Sequence, residues 1–352
     1  MSDAVRLSLD EVRSLAARAL RARGCSGAQA DAVARTVAAA ERDGCTSHGL
    51  FRIPFYVAAL ERAGVAPRAE PRVVDDGSAV VHVDGGRGFC PLALERGLPA
   101  LADAARRHGI AALAIHEVYN IAALWPEVER LASEGLVAFA FTGSIAYVAP
   151  AGGLRPVYGT NPMAFGWPRD DRPPMVFDQA SSACARGEIQ LHLRAGERLP
   201  EGWAIDESGE PTRDPATALA GAQLPFGGHK GAAVALLVEL LAGALIGELS
   251  SVESAAHDTA GTGAPFGGEY LIAIDPARHA PGKPAGEHLR RAERVFADVL
   301  SEEGTRLPSD RRYAARERTR RDGVEVQGEL HATLLALVEA AGAAGAGDPP
   351  PR

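Results

Sequence analysis

The run Ala79-Val80-Val81-His82-Val83-Asp84-Gly85-Gly86-Arg87-Gly88-Phe89-Cys90-Pro91 decides the fold class. Its first five residues are mostly β-branched and read as a strand. Glycines follow, as they would in a dinucleotide-binding turn, which needs Gly-x-Gly-x-x-Gly between a strand and a helix. Here Gly86-Arg87-Gly88-Phe89-Cys90 runs into Pro91, so the fingerprint fails. Gly261-x-Gly263 fails as well, having the wrong spacing and no strand before it. Downstream, Ala93–His108 predicts a helix, Ile110–Ile115 a strand, Ala122–Glu134 a helix and Leu136–Phe141 a strand. Strands alternating with helices predict an α/β domain with a mixed or parallel sheet.

Upstream the pattern is helical. Ser8-Leu9-Asp10-Glu11 is a capping box opening a helix that ends near Gly24. A second helix is expected over Gln29–Arg42 and a third over Ser47–Arg62, with Gly64 as its C-cap. The division predicted is therefore an N-terminal helical segment, residues 1–65, and an α/β region of discontinuous subdomains, residues 66–339. Residues 340–352, almost all Ala, Gly and Pro, read as a disordered tail. Between Ala149 and Pro225 the chain is rich in Gly and Pro, with a short strand at Pro174–Asp178. Gly228–Gly247 predicts a buried helix crossing the core, Glu269–Asp275 a late strand and Glu287–Leu300 an amphipathic helix.

The 352 residues carry a net charge of −8, which argues against a nucleic-acid surface. Four scattered cysteines match no zinc or redox spacing and suggest a reducing compartment, hence a cytoplasmic protein with no metal. The N-terminus lacks the charged and apolar regions of a signal peptide. The apolar run Gly231–Gly247 is interrupted by Glu239 and falls short of the ~20 residues that span a bilayer.

Four short constellations can carry chemistry. In Ser47-His48-Gly49-Leu50-Phe51-Arg52, a histidine that exchanges protons near neutrality stands four residues from an arginine that can hold a carboxylate, and on a helix the two share a face. Gly159-Thr160-Asn161-Pro162 offers polar groups beside a turn. Phe177-Asp178-Gln179-Ala180-Ser181-Ser182 leads to Glu188, a carboxylate able to orient a histidine. Pro225-Phe226-Gly227-Gly228-His229-Lys230-Gly231 opens the apolar helix with backbone amides and one of the chain's two lysines, a plausible phosphate site.

Taken in order, Ser-His-Gly-x-x-Arg-x-Pro, Gly-Thr-Asn-Pro-x-x-Phe, Phe-Asp-x-Ala-x-Ser and Pro-x-Gly-Gly-x-Lys-Gly resemble the malate/L-lactate dehydrogenase-like superfamily over about residues 10–330. Ala122-Ala123-Leu124-Trp125-Pro126-Glu127-Val128-Glu129 and Arg306-Leu307-Pro308-Ser309-Asp310-Arg311-Arg312-Tyr313 most resemble its Δ1-piperideine-2-carboxylate/Δ1-pyrroline-2-carboxylate reductases. The resemblance implies a non-Rossmann NAD(P)-binding α/β fold with a mixed central sheet, a homodimer, a small carboxylate substrate, no membrane or nucleic-acid partner, and NADPH as cofactor, with NADH the alternative. It places Ser47, His48 and Glu188 in a catalytic relay, and Arg52, Asn120 and Thr160 on the substrate. Ile121, Ala122, Ala123, Leu124, Trp125, Asp178, Gln179, Ala180, His229, Lys230, Arg306, Arg311 and Arg312 fall along the cofactor. The implied reaction is reduction of a cyclic α-imino acid to the L-amino acid. A 2-hydroxy-acid dehydrogenase and a catalytically altered NADPH-binding homologue are the alternatives. The chain departs from the pattern twice: Glu188 stands where Asp is usual, and Tyr119-Asn120-Ile121 where His-His-Phe is usual.

Overall fold

The computed structural model describes residues 4–284 and 286–344. A seven-stranded sheet runs in the order Arg72–Val74, Val80–Phe89, Ile110–Tyr119, Phe266–Ile274, Val137–Thr142, Met163–Trp167, Met175–Gln179. Val80–Phe89 and Ile110–Tyr119 are parallel, joined by the helix Cys90–His108; every other neighbouring pair is antiparallel, so the sheet is mixed. A parallel pair requires such a crossover, and Pro91 in the first turn with Gly109 past the end at φ 88° frames it.

The glycines of the opening strand stay inside the sheet. A Cβ on Gly85 would lie 2.1 Å from Val118 Cγ1 and one on Gly88 2.8 Å from Ala69 Cβ, and the register shifts between Asp84 and Gly88. They serve close packing at a bulge, which is why the strand continues to Phe89 where a phosphate turn would leave it. Under the crossover helix lies a core that includes Leu98, Leu101, Leu113, Ile115, Leu131 and Leu136. Each such burial is worth about 1.5–3 kcal/mol.

Against the sheet packs a helical layer. Leu9–Arg21 starts at the Ser8–Glu11 capping box, with both reciprocal hydrogen bonds made, and Gly27–Arg42 starts at Ser26. The layer is completed from the far end of the chain, across the division at residue 65. Val5–Leu7 pairs antiparallel with Val324–Val326, and Val324, Val326 and Leu334 share a core with Val12, Leu20, Tyr56 and Tyr119.

Three expectations are corrected. The helix predicted over Ser47–Arg62 is four pieces: turns at Thr46–His48 and Leu50–Arg52, an α-helix Ile53–Ala58 and a wide turn Ala59–Ala63. Gly49 breaks it (φ −85°, ψ −144°), because the buried Glu41 carboxylate accepts the Leu50 N–H at 2.7 Å and fills the space beside Gly49. The helix predicted to cross the core from Gly228 lies on one side of it. Only His229–Val238 is regular α-helix, Val238 and Ala242 pack on Phe141, and Leu236, Leu237, Leu240 and Leu245 are 44–60% exposed. The final helix, Gly328–Ala344, crosses the boundary drawn at residue 340; the rest of the expected tail lies outside the described residues.

Candidate active site

Two adjoining cavities open between the helical layer and the far edge of the sheet. The larger, about 460 Å³, brings together Ser47, His48, Ala122, Ala123, Trp125, Thr160, Asp178, Gln179, Ala180, Arg306, Arg311 and Arg312. The smaller, about 120 Å³, is lined by Arg52, Asn120 and Ile121. His48, Ala122 and Thr160 border both.

Two consecutive tight turns replace the helix that would have set His48 and Arg52 on one face. The Arg52 Nε donates to the Ser47 carbonyl at 2.7 Å, folding the arginine back beneath the histidine. Its guanidinium packs against Gly187, where a Cβ would come within 2.6 Å of Nη2, and lies 5.2 Å from the Phe55 ring centroid. Among the described residues, no carboxylate lines this cavity. Burial lowers the pKa of Arg52 from its ordinary value, yet a guanidinium stays charged. An unpaired cation in such a place is costly unless a ligand brings the anion.

The His48 Nδ1 sits 3.1 Å from Ser47 Oγ, leaving Nε2 free. Burial, and secondarily Arg52, push its pKa down to about 3, so the imidazole is neutral at physiological pH. Arg186 also lines the smaller cavity; its guanidinium lies 3.7 Å from the Tyr147 ring centroid, and it too meets no carboxylate there.

The wall of the larger cavity is fixed by acids. Asp178 Oδ2 accepts the Leu124 and Trp125 amides at 2.8 and 3.0 Å, pinning the loop before the helix Trp125–Ser133, while burial raises the Asp178 pKa. Trp125 Nε1 donates to Asp43 at 3.2 Å, and Arg316 clamps Asp43 and Glu129 at 2.7–3.0 Å. Arg312 lies 5.1 Å from the Trp125 ring centroid and donates to the Val176 carbonyl, and Ser309 Oγ accepts the Val176 N–H. The Arg306–Arg312 segment is thereby tied to the edge strand Met175–Gln179.

Four of the expected residues line neither cavity. Leu124 is fully buried and contributes only its amide. Glu188 is exposed in the first turn of Arg186–Ala195 and makes no hydrogen bond to His48. His229 and Lys230 are exposed at the start of His229–Val238. Sequence reasoning missed Arg186, Tyr147, Gln190 and Cys45. Arg186 had a signal, lying two residues before Glu188 in the same motif; Tyr147 and Gln190 join it only through the fold.

A family model described as malate/L-lactate dehydrogenase matches residues 7–335. The chain belongs to that family. It is 54% identical to a Δ1-pyrroline-2-carboxylate/Δ1-piperideine-2-carboxylate reductase of Pseudomonas aeruginosa, over 95% of this chain and 100% of the relative. It is 51% identical to a Δ1-pyrroline-2-carboxylate reductase of Ancylobacter novellus, over 96% and 98%. The crystal structure of Δ1-piperideine-2-carboxylate reductase from Pseudomonas syringae superposes with a TM-score of 0.89 at 41% identity, over 95% of this chain and 99% of that one. The mixed sheet and helical layer are thus the fold of this dehydrogenase family, and the protein is an oxidoreductase whose family implies a nicotinamide cofactor. The larger cavity fits such a group. It offers the Trp125 ring, a backbone wall pinned by Asp178, and the arginines Arg306 and Arg311, which make no ion pair among the described residues.

Proposed function

We propose that the enzyme reduces a cyclic α-imino acid, Δ1-pyrroline-2-carboxylate or Δ1-piperideine-2-carboxylate, to the L-amino acid using NADPH. The observation that carries this reading is Arg52, a half-buried guanidinium that meets no carboxylate among the described residues lining its cavity, standing beside a neutral His48 in a space sized for a small ring. The reaction breaks the C=N π bond, adds hydride to carbon and a proton to nitrogen. When bound, the nicotinamide cofactor supplies the hydride. Arg52 holds the substrate carboxylate, with Thr160 beside it, and fixes which face of the ring meets the larger cavity. Ser47 orients His48 through Nδ1, so that Nε2 serves the imine nitrogen directly or through water. A carboxylate on Arg52 also cancels one of the two causes that hold the His48 pKa down, so substrate arrival raises its proton affinity. Glu188 completes the relay if its exposed side chain turns inward on ligand binding. Arg306, Arg311 and Arg312 offer a cationic rim for the 2′-phosphate, which supports NADPH over NADH.

The leucines exposed along residues 229–246 support a homodimer, since contiguous apolar surface marks an interface. Four free cysteines suit a reducing cytoplasm.

The test follows NADPH oxidation by absorbance with the two cyclic imines, pyruvate, and pyruvate plus methylamine. Turnover of the imines with pyruvate inert is expected. Turnover of pyruvate alone, with the imines inert, would replace the reading by a 2-hydroxy-acid dehydrogenase. NADPH binding without turnover would point to an altered homologue.

A further inference from the structure

Asn120 stands where the resembling family shows a histidine, and its side chain is held from both ends. Its Nδ2 donates to Glu269 Oε2 at 2.6 Å, and its Oδ1 accepts the Ala122 N–H at 3.1 Å. A backbone N–H can only donate, so Oδ1 must face Ala122 and Nδ2 must face Glu269, whose pKa burial raises to about 7; the amide cannot be turned over. Its second Nδ2 hydrogen is therefore not needed by either holder, and the residue lines the cavity beside Arg52 and His48. Glu269 is fully buried on Phe266–Ile274. Its Oε2 also accepts the Cys90 thiol at 3.2 Å, and its Oε1 has no partner. A buried carboxylate left half satisfied is an expensive way to hold a strand together.

We infer that Glu269 is a positioning residue that fixes Asn120 so that its free N–H meets a carboxylate oxygen of the substrate opposite Arg52. The inference rests on the imino-acid reading above. It gives the substitution of histidine by asparagine a meaning: the cavity gains a permanent neutral donor at that position. His48 is then left as the imidazole that exchanges the proton.

The test measures kcat and KM for Δ1-pyrroline-2-carboxylate, KM for NADPH, and Tm. Asn120→Ala should raise the imino-acid KM about 10- to 100-fold, the worth of a hydrogen bond to a charged group, with kcat and the NADPH KM within about threefold. The double variant Asn120→Asp with Glu269→Gln exchanges the amide and the carboxylate, so the two still pair but no N–H remains for the substrate. Its Tm should recover relative to Asn120→Asp alone, while its KM stays as high as that of Asn120→Ala. Recovery of KM together with Tm would make the pair purely structural and overturn the inference, as would an unchanged KM in Asn120→Ala. Should the exchanged pair not fold, single changes decide. Glu269→Gln keeps an acceptor oxygen and should hold KM within about threefold, whereas Glu269→Leu should raise it about tenfold; equal KM values would overturn the inference. A wild-type enzyme inert on both cyclic imines would instead remove the functional reading itself.

Discussion

Two arginine sites, Arg316 on Asp43 and Glu129 and Arg52 beside His48, are built on opposite principles. Arg316 is saturated: five nitrogen-to-oxygen and ring contacts tie it to Asp43, Glu129 and Tyr313, and its pairing raises its pKa and lowers that of Asp43. Arg52 is the reverse, half-buried against aromatic rings with one backbone carbonyl and, among the described residues, no acid. The difference teaches how to tell a brace from a receptor. A charge whose partners are all present spends its interactions on the fold, while one buried without a partner keeps them for a ligand.

The contrast can be broken by substitution. The largest effect belongs beside Arg52: His48→Ala should lower kcat about 10²–10⁴-fold with little change in Tm, and near-normal turnover would remove the histidine from the chemistry. Arg52→Gln should raise KM for the imino acid about 30- to 1000-fold, since it leaves the bound carboxylate unpaired, while Tm holds or rises. Loss of stability with unchanged KM would mean that Arg52 is a brace after all. Arg316→Met should do the opposite, costing roughly 2–4 kcal/mol in chemical denaturation and leaving the imino-acid KM within about twofold. The smallest effect is at Glu41, which shapes the turn carrying His48 and whose pKa burial raises to about 7. A carboxyl with a raised folded pKa stabilises most below its unfolded value of 4.5 and loses that contribution as pH climbs through 7. Glu41→Gln should therefore match the wild type near pH 4.5 and exceed its stability by on the order of 1–3 kcal/mol at pH 8. A difference independent of pH would show that the fold does not raise the Glu41 pKa.

What the sequence made legible was local. Ser8 and Glu11 cap their helix as their spacing predicts, and Glu287–Leu300 is helical from end to end. The failed Gly86–Pro91 fingerprint excluded a Rossmann turn, and twelve of the expected site residues meet in the larger cavity because an edge strand, two helix starts and the loops beside them converge there. What stayed hidden depended on residues far apart in sequence. Gly49 breaks a well-patterned helix because Glu41 reaches it, and Asn120 acquires its orientation from a residue 149 positions away. The apolar run from His229 could not be told from a core helix by periodicity alone, since exposed leucines and core leucines can share one spacing.

The pairing of Val5–Leu7 with Val324–Val326 sets a timetable for the helical layer. The segment bearing Ser47 and His48 leaves the ribosome first, yet the core beneath it includes Leu334. At elongation rates of about 5–20 residues per second, it waits on the order of tens of seconds for its last strand. A chain released early would carry every motif of the active site on a layer that cannot close, so a fragment of this protein should be silent and not partly active.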